Sequence, residues 1–228
     1  KNIVMNYIAV IPARKNSKGI KFKNRYKIKG ESITRVAIKK AKALRCKYIV
    51  LTSDDEYLCK ENKDIAFIVK RPSYLSDDKA CSFDVWQHAL FSLYRSNIIK
   101  NYELPSILLE PTSPNRKISD LKRAIKLHLK DDCNVLTLSK LNKSFSPEKI
   151  MNVDAKLKTT FYKKNGVNFL RRQTIKDYYY RNGICYIAKS KNILKKNPKF
   201  FFYNNCKSII INRKIVNIDE KEDLKNLK

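Results

Sequence analysis

A polar, basic loop at residues 12–24 contains the first residue types in the chain that could do chemistry. It follows residues 7–11, a continuous apolar run that is typical of a strand buried on both faces. Cations, small residues and backbone amides together suit a triphosphate. The spacing fits neither GxxxxGK[ST] nor GxGxxG, and the charge alone would equally suit a solvated loop. The loop contains five cations, a glycine and several small or amide side chains: Arg14, Lys15, Lys18, Lys21 and Lys23; Gly19; Ala13, Asn16, Ser17 and Asn24.

Strand and helix signals alternate through the first 140 residues. Strands are predicted at 7–11, 48–52, 65–69, 106–109 and 135–138. Helices are predicted at 32–44, from a start within 53–56, at 84–93 and at 119–129, the last capped by Ser119 or Asp120. This rhythm predicts an α/β fold with a mainly parallel, doubly wound sheet and right-handed crossovers. Ligands of such sheets bind beyond the carboxyl ends of the strands, which is where the basic loop begins.

The pattern changes after residue 139. Residues 140–180 are polar, basic and rich in aromatic side chains, which predicts an excursion from the sheet. Strand character returns at 183–188 and 208–211, and residues 219–227 predict a short helix. We expect one domain over residues 1–228, since the chain has no internal repeat and no low-complexity linker.

The composition favours a cytoplasmic protein that binds small anions. The net charge of +29 would suit nucleic acid. The lysines are nevertheless spread over the whole chain, among many Asn, Ile, Tyr and Phe residues, as an AT-rich genome would encode. We therefore expect steering of phosphorylated or carboxylated substrates and no specific nucleic-acid partner.

The six cysteines form no CxxC pair and are expected to be reduced. No run suits a membrane helix or a signal peptide, so no membrane insertion is expected.

Several short blocks follow one another along the chain. They are PARxxSKGxxxKN at 12–24, TSDD at 52–55, RP at 71–72 with SDDKACS at 76–82, LLEPTSP at 108–114, RQ at 172–173 with NGICYI at 182–187, and NID at 217–219 with DL at 223–224. In this order they resemble the signature blocks of the acylneuraminate and related acidic-sugar cytidylyltransferases. The resemblance extends over almost the whole chain, which makes it far more specific than any one block.

The resemblance implies a Rossmann-like nucleotidyltransferase fold, a homodimer, and a reaction between CTP and an acidic sugar. Arg14 and Lys23 would hold the CTP phosphates and stabilise the charge of the departing pyrophosphate. Asn24 and Arg71 would contact the nucleotide, with Arg71 near the cytosine, and Ser82 would touch the ribose or the phosphates. The other nucleotide-binding positions that the resemblance implies are Ala13, Ser17, Lys18, Gly19 and Ala80.

The same resemblance implies a sugar site. Lys149, Arg172 and Tyr186 match positions that face the acidic sugar, and the planar fork of an arginine can grip a carboxylate through two hydrogen bonds. Phe200 and Phe201 match an aromatic pair that can reach the sugar site of a neighbouring subunit. Residues 140–180 would then be a dimerisation arm. Each of these side chains could instead be a plain surface cation or a core residue.

A magnesium ion is the expected cofactor. It would bridge phosphate oxygens and be held by a carboxylate at a strand end, for which Asp219 is the best candidate and Asn217 the second ligand. Asp219 could equally cap the final helix. Asp54 and Asp55 could cap the helix that is predicted to start within 53–56, although carboxylates at a strand end also suit a metal ion or a ribose.

The sequence departs from the family pattern at three places. Glu110 stands where the family usually has Gln, and a carboxylate there would repel an acidic group and accept hydrogen bonds from an amino group or a hydroxyl. Asn217 stands where the family has one of two aspartates. Lys15 and Asn16 stand where the loop often has glycine. We therefore expect a substrate that differs from N-acetylneuraminic acid itself.

Two alternatives stay open at the level of the sequence. The same fold could activate an eight-carbon ulosonic acid or use another nucleotide. A protein of another class, a basic binding module without catalysis, would grip nucleic acid or anionic glycans, and the changes at Glu110 and Asn217 would support it.

Overall fold

The computed structural model describes residues 5–169, 171–195, 197, 201–203 and 205–227. Its strands are β1 (Met5–Pro12), β2 (Lys27–Ile28), β3 (Glu31–Ser32), β4 (Cys46–Ser53), β5 (Phe67–Lys70), β6 (Pro105–Leu108), β7 (Asn134–Lys140), β8 (Met151–Val153), β9 (Thr159–Phe161), β10 (Tyr179–Lys189) and β11 (Cys206–Ile210). Its α-helices are α1 (Ile33–Ala43), α2 (Glu56–Asn62), α3 (Ser82–Arg95), α4 (Ile118–Asp131) and α5 (Ser190–Ile193). Short 3-10 segments lie at Lys23–Arg25, Ser73–Leu75, Lys143–Phe145, Gly166–Asn168, Arg172–Thr174 and Lys221–Leu227.

A seven-stranded sheet in the order β11-β7-β10-β6-β1-β4-β5 forms the centre of the molecule. β1 pairs in parallel with β4 and β6, β4 with β5, and β7 with β11. β10 is antiparallel to both of its neighbours, β6 and β7. The expected mainly parallel α/β sheet is therefore confirmed, with one reversed strand. Because β10 runs backwards, its N-terminal half lies at the edge where the parallel strands end.

The core explains the apolar run of β1. Alternate side chains point to opposite faces of a strand. Ala9 and Ile11 pack with apolar residues of α1 and α4 on one face. Ile8 and Val10 pack with α3 and its neighbours on the other face. All four side chains are fully buried, as a strand covered on both faces requires.

Two local expectations differ from the structure. The third parallel strand begins at Phe67, two residues later than expected. α4 begins at Ile118, so Ser119 and Asp120 lie inside its first turn and are not its N-cap; the Asp120 carboxylate instead accepts the N–H of Lys117 at 3.3 Å. The expected short helix near the end is a 3-10 helix from Lys221, and the Asp223 carboxylate accepts the N–H groups of residues 219 and 220 before it.

Phe201 is a core residue, which contradicts the expectation that it reaches a neighbouring subunit. Its side chain is 1% exposed. Its ring packs against Phe83, Tyr186 and Trp86 with centroid distances of 5.2, 5.9 and 6.2 Å. A ring enclosed by aromatic neighbours of its own chain is part of the core. Phe200 lies outside the described residues.

The described residues include no helix long and apolar enough to cross a bilayer. All six cysteines are free thiols, and Cys46, Cys133 and Cys185 are buried.

The aromatic cluster gives a test of the Phe201 assignment. Replacing Phe201 by Ala should lower the free energy of unfolding by about 3–5 kcal/mol, because a large buried ring leaves a cavity. Leu129, whose side chain is 64% exposed on α4, is the control, and Leu129→Ala should change the free energy of unfolding by about 0.5 kcal/mol or less. Both values are measured by urea unfolding, and equal losses in the two variants would refute the core assignment.

Candidate active site

An open cleft lies where the loop after β1 meets the turn after β6. It is bounded on the other side by the 3-10 segment Ser73–Leu75 and the first turn of α3. β1, β4 and β6 are parallel neighbours, so the cleft is beyond the carboxyl ends of the strands, as the sheet type predicts. Eight of the expected site residues line it: Arg14, Ser17, Lys23, Asn24, Arg71, Ala80, Ser82 and Glu110.

Asn24 braces the basic loop from inside. The side chain is 5% exposed, and its Nδ2 donates to the main-chain oxygen of Arg14 at 2.9 Å. Its own main-chain oxygen accepts the hydroxyl of Thr34 at 2.9 Å. Phe22, which precedes this turn, has a φ of 54°, in the left-handed region. Asn24 therefore fixes the conformation that presents Arg14 to the cleft.

Ala13 anchors the same loop to β4. Its N–H donates to the oxygen of Thr52 at 3.0 Å, and its oxygen accepts the hydroxyl of Ser53 at 2.5 Å. Both peptide groups are thus used within the fold, and the side chain is fully buried. The role that the structure gives Ala13 is to position Arg14, while any nucleotide contact would fall to later residues of the loop.

Asp78 holds two cations of the loop. Its carboxylate lies 2.9 Å from Arg14 Nη1 and 3.3 Å from Lys18 Nζ. Desolvation acts to raise the pKa of Asp78, but the hydrogen bonds from Lys18 and Arg14 outweigh it and keep that pKa below its usual range. The carboxylate thus offsets the repulsion between cations that the cleft brings together.

Asp219 approaches the loop from the other end of the chain. Its Oδ1 lies 2.9 Å from Lys23 Nζ, and its side chain is 67% exposed whereas that of Lys23 is 13% exposed. Gly19 packs against the same segment: a Cβ at this position would lie 2.2 Å from the main-chain oxygen of Asp219. Only glycine permits this close approach, which explains why a glycine stands in the loop.

Arg71 supplies a third cation to the cleft. It is 8% exposed, and its Nη2 donates to the main-chain oxygen of Thr52 at 3.0 Å. Its Nε has no hydrogen-bond partner among the described residues. Burial lowers the pKa of Arg71 to about 10, far above neutral pH, so the guanidinium remains charged. A buried, charged and incompletely bonded guanidinium suits an oxygen-rich ligand.

Glu110 and Ser82 form one unit on the opposite wall. The Ser82 hydroxyl, expected at the ribose or phosphates, donates to Glu110 Oε1 at 2.7 Å. Burial raises the pKa of Glu110, and the hydrogen bond from Ser82 and the charge of Arg116 oppose that rise. Tyr186 is 6% exposed and packs in the core beside this unit; burial, and then the charge of Glu110, raise its pKa.

Arg116 is a residue that the sequence reasoning missed. It is 2% exposed, and its Nη2 donates to the main-chain oxygen of Glu110. Burial lowers the pKa of Arg116 to about 10. It therefore holds the turn on which Glu110 stands. It stands two residues after the PTSP turn, and its charge alone did not distinguish it from a surface arginine.

Asp55 and Arg25 form an ion pair. Asp55 is fully buried, caps α2 through the N–H of Tyr57 at 3.0 Å, and accepts two hydrogen bonds from Arg25 at 2.7 Å. The capping interpretation of Asp55 is therefore confirmed, and Arg25 was missed. Asp54 accepts the N–H of Lys15 at 2.7 Å, which ties the basic loop to the end of β4.

Asn217 lies beside the cleft without lining it. Its Oδ1 accepts the hydroxyl of Ser113 at 2.6 Å. No group of three or more His, Cys, Asp and Glu side chains that could hold a metal ion occurs within the described part of the chain. A metal ion here would therefore have at most two such side chains of the described residues as ligands and would depend on substrate oxygens for the rest.

Two further expected sugar contacts belong to the segment 140–180. Lys149 is half-buried there, its N–H donates to the oxygen of Ser146 at 2.8 Å, and it does not line the cleft. Arg172 begins a 3-10 turn, and its side chain lies outside what the structure describes.

The comparison with family models gives one assignment. A model described as cytidylyltransferase matches residues 8–227. The chain is 30% identical over 223 residues to an N-acylneuraminate cytidylyltransferase of Escherichia coli, covering 95% of this chain and 50% of that protein. It is 26% identical to a CMP-N,N'-diacetyllegionaminic acid synthase of Legionella pneumophila, covering 94% and 90%. The chain thus spans about half the length of the first of these relatives.

Solved structures share the fold. A CMP:2-keto-3-deoxy-manno-octonic acid synthetase complexed with CTP has a TM-score of 0.69 at 12% identity, covering 97% of this chain and 96% of the other. The bifunctional IspDF from Campylobacter jejuni has a TM-score of 0.64 at 15% identity, covering 97% and 54%.

The position of Arg14 yields a prediction. Arg14→Ala should fold normally but lose roughly 100-fold or more in CTP-dependent turnover, as removal of one charge-stabilising donor does elsewhere. Arg123, exposed on α4, is the matched control, and Arg123→Ala should keep full turnover. Turnover is followed by pyrophosphate release and folding by thermal unfolding. Near-normal turnover in Arg14→Ala would show that the loop is not part of the active site.

Proposed function

Because the chain belongs to the cytidylyltransferase family, we propose that it transfers CMP from CTP to the anomeric hydroxyl of a sialic-acid-like nonulosonic acid, releasing pyrophosphate. The convergence of Arg14, Lys23 and Arg71 on one cleft carries this proposal. A triphosphate is the ligand that three converging cations would bind best. The relatives from Escherichia coli and Legionella pneumophila, named for nine-carbon acidic sugars, support this choice of acceptor.

Nucleotidyl transfer depends on positioning and charge neutralisation more than on covalent help. The anomeric hydroxyl attacks the α-phosphorus in line with the departing pyrophosphate. Arg14 and Lys23 bind the β- and γ-phosphates and offset the charge that develops on the leaving group. Asn24 and Ala13 hold Arg14 in place, and Asp219 does so for Lys23.

Arg71 is proposed to contact the nucleotide near the cytosine. Its Nη2 is bound to Thr52 at the end of β4, which fixes the plane of the guanidinium. Arg71 and Ala80 line the same cleft as the cations of the loop. This arrangement would separate a base-binding end from a phosphate-binding end.

Enzymes of this kind generally depend on a divalent metal ion, and we propose Mg²⁺. Mg²⁺ usually takes one or two carboxylates, phosphate oxygens and water. The Asp219 carboxylate fits this requirement because it is exposed and lies against Lys23 at the phosphate end of the cleft. When bound, the ion would supply additional neutralisation of phosphate charge. Asn217 is a weaker candidate, since its oxygen already accepts the Ser113 hydroxyl.

A substrate panel tests the proposal. Purified protein is incubated with Mg²⁺, each of the four nucleoside triphosphates, and either a nine-carbon or an eight-carbon ulosonic acid. We expect pyrophosphate release with CTP and the nine-carbon acid, and its loss when EDTA removes the metal ion. Added Mg²⁺ should restore the reaction.

The other outcomes distinguish the alternatives. Release only with the eight-carbon acid would change the acceptor, and release with another triphosphate would change the donor. Absence of release with every pair would favour a binding protein. Weak DNA binding that disappears at moderate salt would then indicate a non-specific electrostatic interaction.

The proposed dimerisation arm is the segment 140–180. It leaves the sheet, and its β8–β9 hairpin and flanking turns expose apolar side chains that its own chain does not cover: Phe145, Ile150, Met151, Val153, Leu157, Tyr162 and Val167. Several exposed apolar residues on one excursion favour a protein interface. A second copy of this chain is the proposed partner.

A charge introduced into the arm tests this partner. Val153, 59% exposed on β8, is replaced by Asp; Leu129, 64% exposed on α4, is replaced by Asp as the control. Light scattering should give twice the chain mass for the wild type and the control, and the mass of one chain for Val153→Asp. A monomeric wild type, or an unaffected Val153→Asp dimer, would exclude the arm as the interface.

A further inference from the structure

Asp78 places a carboxylate on the cations of the basic loop. Its Oδ1 lies 2.9 Å from Nη1 of Arg14, and its Oδ2 lies 3.3 Å from Nζ of Lys18. The same Nη1 of Arg14 donates to the main-chain oxygen of Asp77 at 2.8 Å. Arg14, Asp77 and Asp78 all line the cleft, so these contacts lie inside it. One carboxylate therefore spans two cations of the loop that is proposed to bind a triphosphate.

This carboxylate stands on an exposed turn between the 3-10 segment Ser73–Leu75 and α3. Asp77 Oδ1 accepts the N–H groups of Lys79 and Ala80, each at 2.9 Å, so the turn is closed by its own side chain. Residues 77–79 are exposed. Moving such a turn exposes little additional apolar surface to water, which keeps the cost of the movement small. The turn can therefore withdraw the carboxylate from the loop without disturbing the core.

A carboxylate and a phosphate compete for the same guanidinium. Both are anions that accept charge-assisted hydrogen bonds from arginine and lysine. Two anions on one nitrogen lie only a few ångströms apart and repel each other. A triphosphate that binds Arg14 must therefore displace the Asp78 carboxylate, or bind beside it with lower affinity.

The strength of the ion pair allows this exchange. The side chains of Arg14 and Asp78 are 27% and 40% exposed, and that of Lys18 is 79% exposed. Ion pairs in contact with water change an equilibrium constant only by a small factor, about fivefold or less. A triphosphate carries several negative charges and contacts several cations of the cleft at once, so it can win the competition.

We propose that Asp78 is a built-in competitor of the phosphates, which yields Arg14 and Lys18 to the triphosphate and binds them again as pyrophosphate leaves. This inference rests on the proposed cytidylyl transfer and adds to it a positioning residue that acts through Arg14. Converging cations without a competitor would retain the anionic product more tightly. Asp78 thus lowers the affinity for both triphosphate and pyrophosphate, and so promotes release of the product.

The variant Asp78→Asn tests the competitor, because asparagine has nearly the same shape and no charge. Pyrophosphate and CTP are titrated separately into wild type and variant by calorimetry, with EDTA present so that no metal ion contributes. The variant should bind each anion roughly three- to tenfold more tightly, since the competing charge and its repulsion are gone. A merely structural role would give the opposite sign, because a displaced loop binds the anion less well.

Two further variants separate the position from the charge. Asp78→Glu keeps the carboxylate and should bind pyrophosphate within about twofold of the wild type. Asp64 is the matched control: its carboxylate pairs with Arg35 at 2.8 Å and is 57% exposed, and neither residue lines the cleft. Asp64→Asn removes the same charge and breaks the same kind of ion pair, yet should change pyrophosphate binding by less than about twofold. Equal tightening in Asp64→Asn and Asp78→Asn would assign the effect to net charge and overturn the proposal.

Product inhibition gives a second readout during turnover. Pyrophosphate should inhibit Asp78→Asn at a roughly three- to tenfold lower concentration than it inhibits the wild type. The KM for CTP should fall in the variant, whereas the KM for the sugar should stay within about twofold. Thermal unfolding checks that each variant folds.

Failure of the proposed function has a different signature, the absence of pyrophosphate release by the wild type with every nucleotide and acceptor. The anion titrations still decide the present inference, because they need no turnover. Binding that tightens at least threefold in Asp78→Asn alone supports it, including a case in which only this variant binds measurably. Unchanged or weaker binding in Asp78→Asn, or no binding by either protein, contradicts it.

Discussion

Repulsion between cations is the constraint on which the rest of the site depends. Arg14, Lys23 and Arg71 face one cleft in a chain with a net charge of +29. Each is held by a different oxygen: the Asp78 carboxylate, the Asp219 carboxylate and the main chain of Thr52. These partners come from separate segments, so the fold must close before the cations can be brought together. The same arrangement leaves positive charge available for a triphosphate.

The reversed strand β10 brings its N-terminal half to the ligand edge of the sheet, which no strand of a purely parallel sheet does. In a parallel sheet, each strand brings its carboxyl end to the ligand edge and its amino end to the opposite edge. β10 instead brings its N-terminal half, with Gly183, beside the turn that carries Glu110. The surroundings of Glu110 are thus built from one reversed strand and one turn. On the other side, the loop after β1 is joined to the distant residue Asp219.

The order of strands and helices could be predicted from the sequence because apolar periodicity depends on neighbours a few residues apart. The run at 7–11 predicted β1, and burial on both faces confirmed it. The loop residues that line the cleft were predicted because they share one segment. The sequence left Phe201 open between core and partner contact, since an aromatic pair has the same pattern in both cases, and burial decided for the core. Arg116 and Arg25 were missed because a buried arginine cannot be distinguished from a surface one in a basic chain.

The sequence by itself determined the α/β class, the basic loop at a strand end, and the family, since each depends on local pattern or on the order of short blocks. The tertiary structure alone decided which charges meet. Lys23 and Asp219 are 196 residues apart, and Asp78 meets Arg14 and Lys18 from a segment that no local pattern links to their loop. Charge pairing depends on distance in space, and the distance is set by the register and direction of the strands. Those are fixed only when the whole sheet packs.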